Sequence, residues 1–467
     1  MDSIIVEKTV DKELGTKSIG SLLWLYSLPT IVATVATSLY NIIDRVFIGQ
    51  IVGPLAISGL TISLPFMNIC TALGTLISTG AAAIISIRLG ENRKQDSLMT
   101  LGNAVLLNLL VSLLVSFFGL LFIDEILCLF GASELTLPYA RSFMRIILLG
   151  NPVSQMFFCL NAIMRSSCYP AKAMWAVLLT MVVNLVMVYV LIYLVRMGIE
   201  GAALATVCGQ AVGLAFVLKH FFNTDSHLHF QRFSFKIQWN IAKHIISIGL
   251  SPFLIHISTC LVVAVCNWQL KNYGGDYAIG AYGVISTVVN FVIVIVLGLA
   301  QGMQPIVGYN FGAARYDRVV RTLWMTICIG TGVTIVGFLG VQLLPYQIAY
   351  CFTSDVVLAD LIRSGMRLYC IMFPLVGFQV VVSNFFQSIG MPKTSIFLSI
   401  SRQCIFWIPF VLVLPHLYGL DGVWYAMPAA DLLATLVTAA LLWYYYLKLP
   451  IDVRNKKVEN ESITTFK

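Results

Sequence analysis

Long apolar stretches alternate with short polar segments along the whole chain. Clear examples cover residues 101–122, 174–194, 202–218, 245–265, 282–300 and 432–447. Each approaches the ~20 residues that a helix needs to cross a hydrocarbon core about 30 Å thick. Twelve candidate spans are present, six before a polar segment at 222–240 and six after it. The pattern therefore predicts an all-α membrane protein with twelve transmembrane helices.

The amino-acid composition supports the same class. The 467 residues are 59% hydrophobic and 11% charged, and the mean hydropathy is +0.89. A soluble domain carries roughly 25% charged residues, so a soluble fold is excluded. No signal-peptide pattern precedes the first apolar stretch, and we expect that stretch to remain as a membrane anchor.

The two halves of the chain are related by an internal repeat with an offset of 222 residues. Between residues 53 and 170, 21 of 118 positions are identical to the residue 222 positions later, without a gap. Many of the shared residues are glycine, proline or arginine, which fix backbone shape and boundaries. The clearest pairs are Gly53 and Gly275, Asn68 and Asn290, Gly80 and Gly302, Gly90 and Gly312, Arg93 and Arg315, Pro152 and Pro374, Ser166 and Ser388, and Pro170 and Pro392.

The repeat predicts two lobes that move against each other. Six spans per half return the chain to its starting side, so the copies are parallel and related by a pseudo-two-fold axis along the membrane normal. We assign residues 1–221 to an N-terminal six-helix lobe, 222–240 to a cytoplasmic linker, 241–449 to a C-terminal six-helix lobe and 450–467 to a cytoplasmic tail. A central cleft between such lobes can open to either side in turn.

Basic residues predict the orientation of the chain. The formal net charge is +8. Most of the excess falls on one side of the membrane if both termini are cytoplasmic, as the positive-inside rule favours. Residues on this side are Lys8, Lys12, Lys17, Arg88, Arg93, Lys94, Arg165, Lys172, Lys236, Lys243, Arg315, Arg318, Arg321, Lys393, Arg454, Lys456 and Lys457. The positive charge is thus a topology signal, and we expect no nucleic-acid partner.

The residues that usually indicate enzymes or cofactors are not arranged for chemistry. The 11 cysteines are scattered, mostly inside spans, without the spacing of a disulfide framework or a zinc site. No glycine-rich phosphate-binding loop and no catalytic cluster inside a span is recognisable. We predict a protein that is not an enzyme and needs no cofactor.

Asp44, near the end of the first span, is the sharpest candidate for function. A carboxylate at membrane depth is costly unless it is paired, protonated or facing water, and such residues are functional hypotheses by default. Tyr40 lies one helical turn earlier and shares its face. Burial favours the protonated acid and a bound cation favours the charged form, so a proton or metal ion and a cationic substrate can compete for one charge. The alternative is a structural salt bridge or an interfacial acid next to Arg45.

A second constellation lies in the C-terminal half. Arg402 and Asp431 are each alone in an apolar stretch, in spans eleven and twelve, and opposite charges in one bundle are expected to pair. Such a pair either serves transport or fixes helix packing. Asn184 and Thr206, in spans five and six, offer oxygens to an ion or hydrogen bonds to Asp44; otherwise they hold helices together.

Several segments resemble the multidrug and toxic compound extrusion (MATE) family. The first two are Tyr40-Asn41-Ile42-Ile43-Asp44-Arg45-Val46-Phe47-Ile48-Gly49 in span one and Gln304-Pro305-Ile306-Val307-Gly308-Tyr309-Asn310-Phe311-Gly312-Ala313 after span eight. The stretches Ser401-Arg402-Gln403 through Ile408-Pro409 and Gly419-Leu420-Asp421-Gly422-Val423-Trp424 resemble the MepA-type bacterial branch. The resemblance covers nearly the whole chain.

The resemblance implies export of cationic amphiphilic compounds in exchange for protons or sodium ions. It places an N-lobe cation site at Tyr40, Asp44, Asn184 and Thr206. Many members carry a second acid where this sequence has Val188, which favours proton coupling while the Asn184 and Thr206 oxygens leave sodium open. The C-lobe cation site of some members is not carried over, because the only nearby acid, Asp360, lies at the edge of span ten.

We therefore predict a secondary antiporter in a bacterial cytoplasmic membrane, working as a monomer by alternating access with small cationic amphiphilic substrates and the lipid bilayer as its partners. No firm metal site is predicted; sodium is possible at Asp44, Asn184 and Thr206. The alternative is a lipid or oligosaccharide flippase of related architecture, which would be expected to carry several cations in its cleft.

Overall fold

The protein is described by a computed structural model. It describes residues 14–47, 51–52, 54–223, 228–231, 234, 236–352 and 355–448; of these, the side chains of 41–46, 54–55, 57–58, 276 and 447–448 lie outside the description. Within these ranges the chain is helical and contains no strand. The prediction of an all-α membrane protein is confirmed.

Twelve membrane spans account for nearly all of the described chain. Eleven single helices are long and apolar enough to cross a membrane, and one bent pair supplies the twelfth span. Spans 1 to 6 are Ile19–Phe47, Pro54–Gly90, Lys94–Leu121, Leu137–Ser166, Pro170–Leu194 and Ile199–Phe222. Spans 7 to 12 are Trp239–Gly275, Tyr277–Gly312, Tyr316–Leu343, the bent pair, Pro392–Tyr418 and Leu420–Lys448. Short helices Ile123–Leu129 and Pro345–Phe352 follow spans 3 and 9.

Span 10 departs from its repeat partner. It consists of Val356–Tyr369 and Phe373–Ser388, which meet at an angle of 56°. Span 4, in the other lobe, is one continuous helix although Pro152 lies inside it. The break in span 10 comes just before Pro374, which sits in the first turn of the second piece, where a proline costs no backbone hydrogen bond.

Backbone conformation preserves the repeat where side chains have diverged. Spans 3 and 9 are both 28 residues long, and the residues before them, Arg93 and Arg315, have φ/ψ of −97°/64° and −93°/67°. Cys168 and its counterpart Gly390 both have φ of 73°. Left-handed backbone is costly for a residue with a side chain, so its retention at Cys168 shows that the turn geometry is required in both lobes.

The two lobes meet through close helix contacts in which glycine is needed. The side of the molecule that carries Arg93 and Arg315 is called the basic side here. In its half of the structure, a Cβ atom on Gly80 of span 2 would lie 2.1 Å from the carbonyl oxygen of Ile245 in span 7. The symmetric contact joins Gly302 of span 8 to Ser27 of span 1, where a Cβ would lie 2.4 Å from the serine Cα. Neither distance leaves room for a side chain.

The same relation recurs closer to the basic-side loops. A Cβ on Gly90 would lie 2.0 Å from the Tyr309 carbonyl oxygen, and one on Gly312 would lie 2.1 Å from the Ile87 carbonyl oxygen. Small residues let helix backbones approach in membranes, where van der Waals packing holds helices together. These paired contacts close the basic-side half of the boundary between the lobes.

Candidate functional site

Spans 5 and 6 bring together two polar residues that the sequence singled out. The Asn184 Nδ2 donates to the Thr206 Oγ1 at 3.4 Å, and the Thr206 Oγ1 donates to the Ala202 carbonyl at 3.1 Å. Asn184 is 1% exposed. Gly209 permits this approach, because a Cβ there would lie 2.8 Å from the carbonyl oxygen of Thr180. The two polar side chains therefore share one buried site in the N-lobe.

The predicted site residue Asp44 lies near the end of span 1. Span 1 packs against span 5, and Tyr40 on span 1 is buried. Phe47, one turn beyond Asp44, packs against the hydrophobic cluster that contains Val188, one turn beyond Asn184. The backbone of Asp44 is part of the helix Ile19–Phe47, but its side chain lies outside the described residues. Its role stays a prediction.

Val188 occupies the position at which many family members carry a second acid. It is fully buried in an apolar cluster with Ile192 and Ile199. A carboxylate at this position would lie one helical turn from Asn184 on the same face of span 5. The position is instead packed with hydrocarbon, and Asp44 is the one acid in the sequences of spans 1 and 5.

The C-lobe contains a buried ion pair. The Arg402 Nε donates to the Asp431 Oδ1 at 2.8 Å, and the side chains are 17% and 3% exposed. Arg402 belongs to a π-helical turn, Ser401–Trp407, inside span 11. Such turns interrupt the regular helix and frequently occur at functional sites. The structure brings the two predicted charges together, while their contribution to transport stays a prediction.

Gln379 completes this cluster and was missed by the sequence reasoning. Its Nε2 donates to the Asp431 carbonyl at 2.7 Å and to the Thr435 Oγ1 at 2.5 Å. Its Oε1 is buried and has no hydrogen-bond partner among the described residues. A glutamine in the middle of an apolar stretch of span 10 was the available signal. The cluster joins spans 10, 11 and 12, and its geometry favours a packing role at least as strongly as an ion-binding one.

A cluster of serine hydroxyls connects spans 7, 10 and 11. The Ser395 Oγ donates to the Ser251 Oγ at 2.8 Å, the Ser251 and Ser399 hydroxyls are 2.9 Å apart, and Ser383 lies 3.2 Å from Ser399. The spacing of Ser395 and Ser399 places them on one face of span 11. This cluster was also not predicted, because isolated serines in apolar helices carry little signal.

Asp360, which was not assigned to a site, lies on the first piece of span 10. It is exposed, its Oδ1 is 3.8 Å from the Arg363 guanidinium, and it accepts a hydrogen bond from the Tyr346 hydroxyl at 3.5 Å. An ion-coupling acid needs a buried environment. Asp360 is an exposed carboxylate beside a cation, so it lacks that environment.

Two short segments on the basic side cross from one lobe to the other. Residues 14–17, the N-terminal strap, lead into span 1 and dock on the C-lobe. The Leu14 carbonyl accepts from the Asn310 Nδ2 at 3.2 Å and from an Arg318 nitrogen at 3.0 Å. The Gly15 carbonyl accepts from Arg315 at 2.6 Å. Charge-assisted hydrogen bonds of this kind are stronger than neutral ones.

Residues 236–238, the linker strap, make the equivalent contact from the C-lobe side to the N-lobe. They lead into span 7 and dock on span 3 of the N-lobe. The Asn103 Nδ2 donates to the Lys236 carbonyl at 3.0 Å, and the Gln238 backbone N–H donates to the Asn103 Oδ1 at 2.7 Å. Lys236 and Leu14 occupy equivalent positions of the repeat. The C-terminal end of the linker is therefore held on span 3 by hydrogen bonds, and the linker is not free along its whole length.

Comparisons with known proteins agree with this architecture. The MatE family model matches residues 29–190 and 253–413, which is more than half of the chain. Multidrug export protein MepA of Staphylococcus aureus (strain bovine RF122 / ET3-1) is 25% identical over 429 residues, covering 91% of this chain and 94% of MepA. MepA of Staphylococcus haemolyticus is 26% identical over 435 residues, with 93% and 96% covered.

Solved structures share the fold. The MATE multidrug transporter DinF-BH, whose structure was solved in complex with a ligand, is 34% identical and has a TM-score of 0.86, with 92% of this chain and 96% of that chain covered. An outward-facing MATE family transporter of the MOP superfamily has a TM-score of 0.87 at 23% identity, with the same coverage.

Proposed function

Because this chain belongs to the MatE family, we propose that it exports cationic amphiphilic compounds from a bacterial cell in exchange for protons or sodium ions. It is a multi-pass membrane protein and a multidrug efflux transporter. The proposal adds the direction of coupling, the chemical class of the substrate and the residues that carry them. We place it in the cytoplasmic membrane with the basic side facing the cytoplasm, as the positive-inside rule favours.

The observation that carries the proposal is the buried pair of Asn184 and Thr206, which are hydrogen-bonded to each other on spans 5 and 6. Span 1, whose helix includes Asp44, packs against span 5. A carboxylate beside neutral oxygens in a buried setting can alternate between a bound ion and a cationic substrate. We assign Asp44 as the coupling acid and Tyr40, Asn184 and Thr206 as its polar surroundings.

The coupling ion that this arrangement favours is the proton. Sodium is a hard cation that binds oxygen ligands, and its affinity for a site rises with the number of carboxylates. One carboxylate with two neutral oxygens and an apolar Val188 offers one negative charge, which a single proton neutralises. Sodium remains the competing assignment, because the side-chain oxygens of Asn184 and Thr206 are suitable ligands.

The contacts between the lobes support alternating access. Both straps and the glycine contacts lie on the basic side, so we propose that they form the closed cytoplasmic gate of an outward-facing state. Uptake of the coupling ion at Asp44 then releases the substrate outward. Return to the inward-facing state separates the straps from the opposite lobe, and loss of the ion to the cytoplasm readies the site for new substrate.

Charge explains the proposed substrate class. Few charged side chains lie inside the described membrane spans. The positive charge of Arg402 is already neutralised by Asp431. A cleft whose unneutralised charge is the Asp44 carboxylate attracts cations and repels anions. The relative DinF-BH, at 34% identity, was solved in complex with a ligand, which supports a ligand-binding cleft in this fold. We propose that the Arg402–Asp431 pair holds the π-helical turn of span 11 against span 12.

The test is efflux of a fluorescent cationic dye from proteoliposomes, with a pH gradient and a sodium gradient imposed separately. We expect a pH gradient alone to drive efflux in the wild type and Asp44→Asn to abolish it. Asp360→Asn is the matched control, because Asp360 is exposed and outside the site. Wild-type efflux by Asp44→Asn would remove the coupling assignment. A strict sodium requirement would reassign the ion, and no movement under either gradient would favour a flippase.

A further inference from the structure

An apolar groove opens between spans 9 and 12 at their basic-side ends. Its volume is about 440 Å³. Span 10 packs against both neighbours and contributes two phenylalanines to the groove. The lining residues are Val319, Val320, Leu323, Trp324, Phe378, Phe385, Ala439, Leu442, Trp443, Tyr445 and Tyr446. The walls are aliphatic and aromatic, and all three helices belong to membrane spans.

The internal repeat identifies the equivalent region of the N-lobe. Leu98 is 5% exposed, whereas its C-lobe counterpart Val320 is half-buried; Leu101 and its counterpart Leu323 are both buried, at 0% and 4% exposed. The linker after span 6 covers this region: Leu228 is fully buried, and the Phe230 ring lies 5.6 Å from the Phe221 ring. In the N-lobe the chain itself therefore fills the position of the groove.

One substitution between the repeats changes the place where the linker approaches span 3. The linker backbone approaches span 3 at Gly102, where a Cβ would lie 2.1 Å from the Ser234 carbonyl oxygen. The counterpart of Gly102 is Trp324, whose side chain is 43% exposed. An indole at this point occupies the space that the linker backbone uses in the other lobe.

The surroundings indicate what fills the groove instead. Because the walls belong to membrane spans, hydrocarbon is the medium that meets them, and an empty groove would leave its lining without van der Waals partners. Arg321 is exposed in the second turn of span 9, next to the lining residue Val320. Basic residues at a membrane surface attract the headgroups of anionic lipids.

We propose that this groove binds one acyl chain of an anionic phospholipid from the leaflet on the basic side, with its headgroup at Arg321. The lipid takes the position in the C-lobe that the linker takes in the N-lobe. It packs between spans 9 and 12, which both contact span 10. This site is separate from Asp44 and does not depend on the identity of the coupling ion.

The proposal is tested by photolabelling in membranes. Purified protein is reconstituted with phosphatidylglycerol that carries a diazirine in its acyl chain, illuminated and mapped by peptide mass spectrometry. We expect labels on lining residues of spans 9 and 12. Ala439→Trp places a side chain in the groove and should reduce that labelling several-fold. Ala440→Trp, on the next exposed position of span 12 and outside the lining, should leave it unchanged.

A second comparison isolates the headgroup. Arg321→Gln should lower labelling by the phosphatidylglycerol probe and leave labelling by the matching phosphatidylcholine probe unchanged. Equal labelling of the wild type and of both tryptophan variants would overturn the site, because it would indicate only general lipid contact. Two other results would also overturn it: stronger labelling after deletion of residues 449–467, which would identify the chain's own terminus as occupant, or displacement of the label by an effluxed dye.

Discussion

Asn103 offers a direct test of the proposed cytoplasmic gate. Asn103→Ala removes two hydrogen bonds between the N-lobe and the linker strap, at 3.0 Å to the Lys236 carbonyl and at 2.7 Å from the Gln238 N–H. Each contributes a net free energy of roughly 0.5–1.5 kcal/mol. If the strap separates from span 3 when the gate opens, the variant favours the open gate by about 1–3 kcal/mol, which is roughly a 5- to 150-fold change in the equilibrium constant.

The populations are measured by the distance between two spin labels on the basic side. Gln95 and Asp317 are repeat equivalents, both exposed, in the first turns of spans 3 and 9. Cysteine substitutions at these two positions, in a background whose native cysteines are replaced and whose efflux is retained, report the separation of the lobes. We expect the longer distance to gain population in Asn103→Ala.

Thr100→Ala is the matched control. Thr100 is buried on the same helix, three residues earlier, and its hydroxyl donates to the Asp96 carbonyl within span 3. It should leave the distance distribution unchanged. If Asn103→Ala also leaves the distribution unchanged while folding normally, the strap stays docked in both states and acts as a hinge, and the reasoning about the gate is refuted.

Three further predictions concern other parts of the molecule. Arg402→Met should lower the free energy of unfolding by roughly 3–5 kcal/mol, because it leaves the Asp431 charge buried without its cation, while Arg402→Met with Asp431→Leu should be close to neutral in SDS unfolding. Gly80→Val should shift the lobes toward the state open on the basic side and reduce efflux, because no side chain fits that contact; Gly332→Val, where a Cβ meets open space, should not. Val188→Asp should add a second carboxylate and make efflux depend more on sodium.

Each of these has a result that contradicts it. Equal losses of stability in the single and double charge-pair variants would show that the unpaired Asp431 charge is not what destabilises Arg402→Met. Normal efflux by Gly80→Val would show that the closed basic-side contact is not part of the cycle. Unchanged ion dependence in Val188→Asp, with the protein inserted normally, would separate that position from the coupling site.

The class of protein, the number of spans and the two-lobe architecture could be predicted from the sequence. They follow from apolar length and from the 222-residue repeat, because a membrane allows few solutions for backbone hydrogen bonds and a repeated unit must bury the same faces twice. The turns of the two halves also correspond: the left-handed residues Asn92 and Ala314, with φ of 58° and 54°, keep one turn despite different side chains. The candidate residues Asp44, Arg402 and Asp431 were visible because charge is rare in spans.

Contacts between distant segments became visible only in the folded chain. The Gln379 cluster, the serine cluster and the two straps join residues far apart in sequence, and no local pattern records such partners. The straps use mainly backbone carbonyls as acceptors, and every residue type provides one. The path of the linker over span 3 depends on the close approach at Gly102, where the other repeat has Trp324. Sequence patterns report which faces are apolar, and packing decides what covers them.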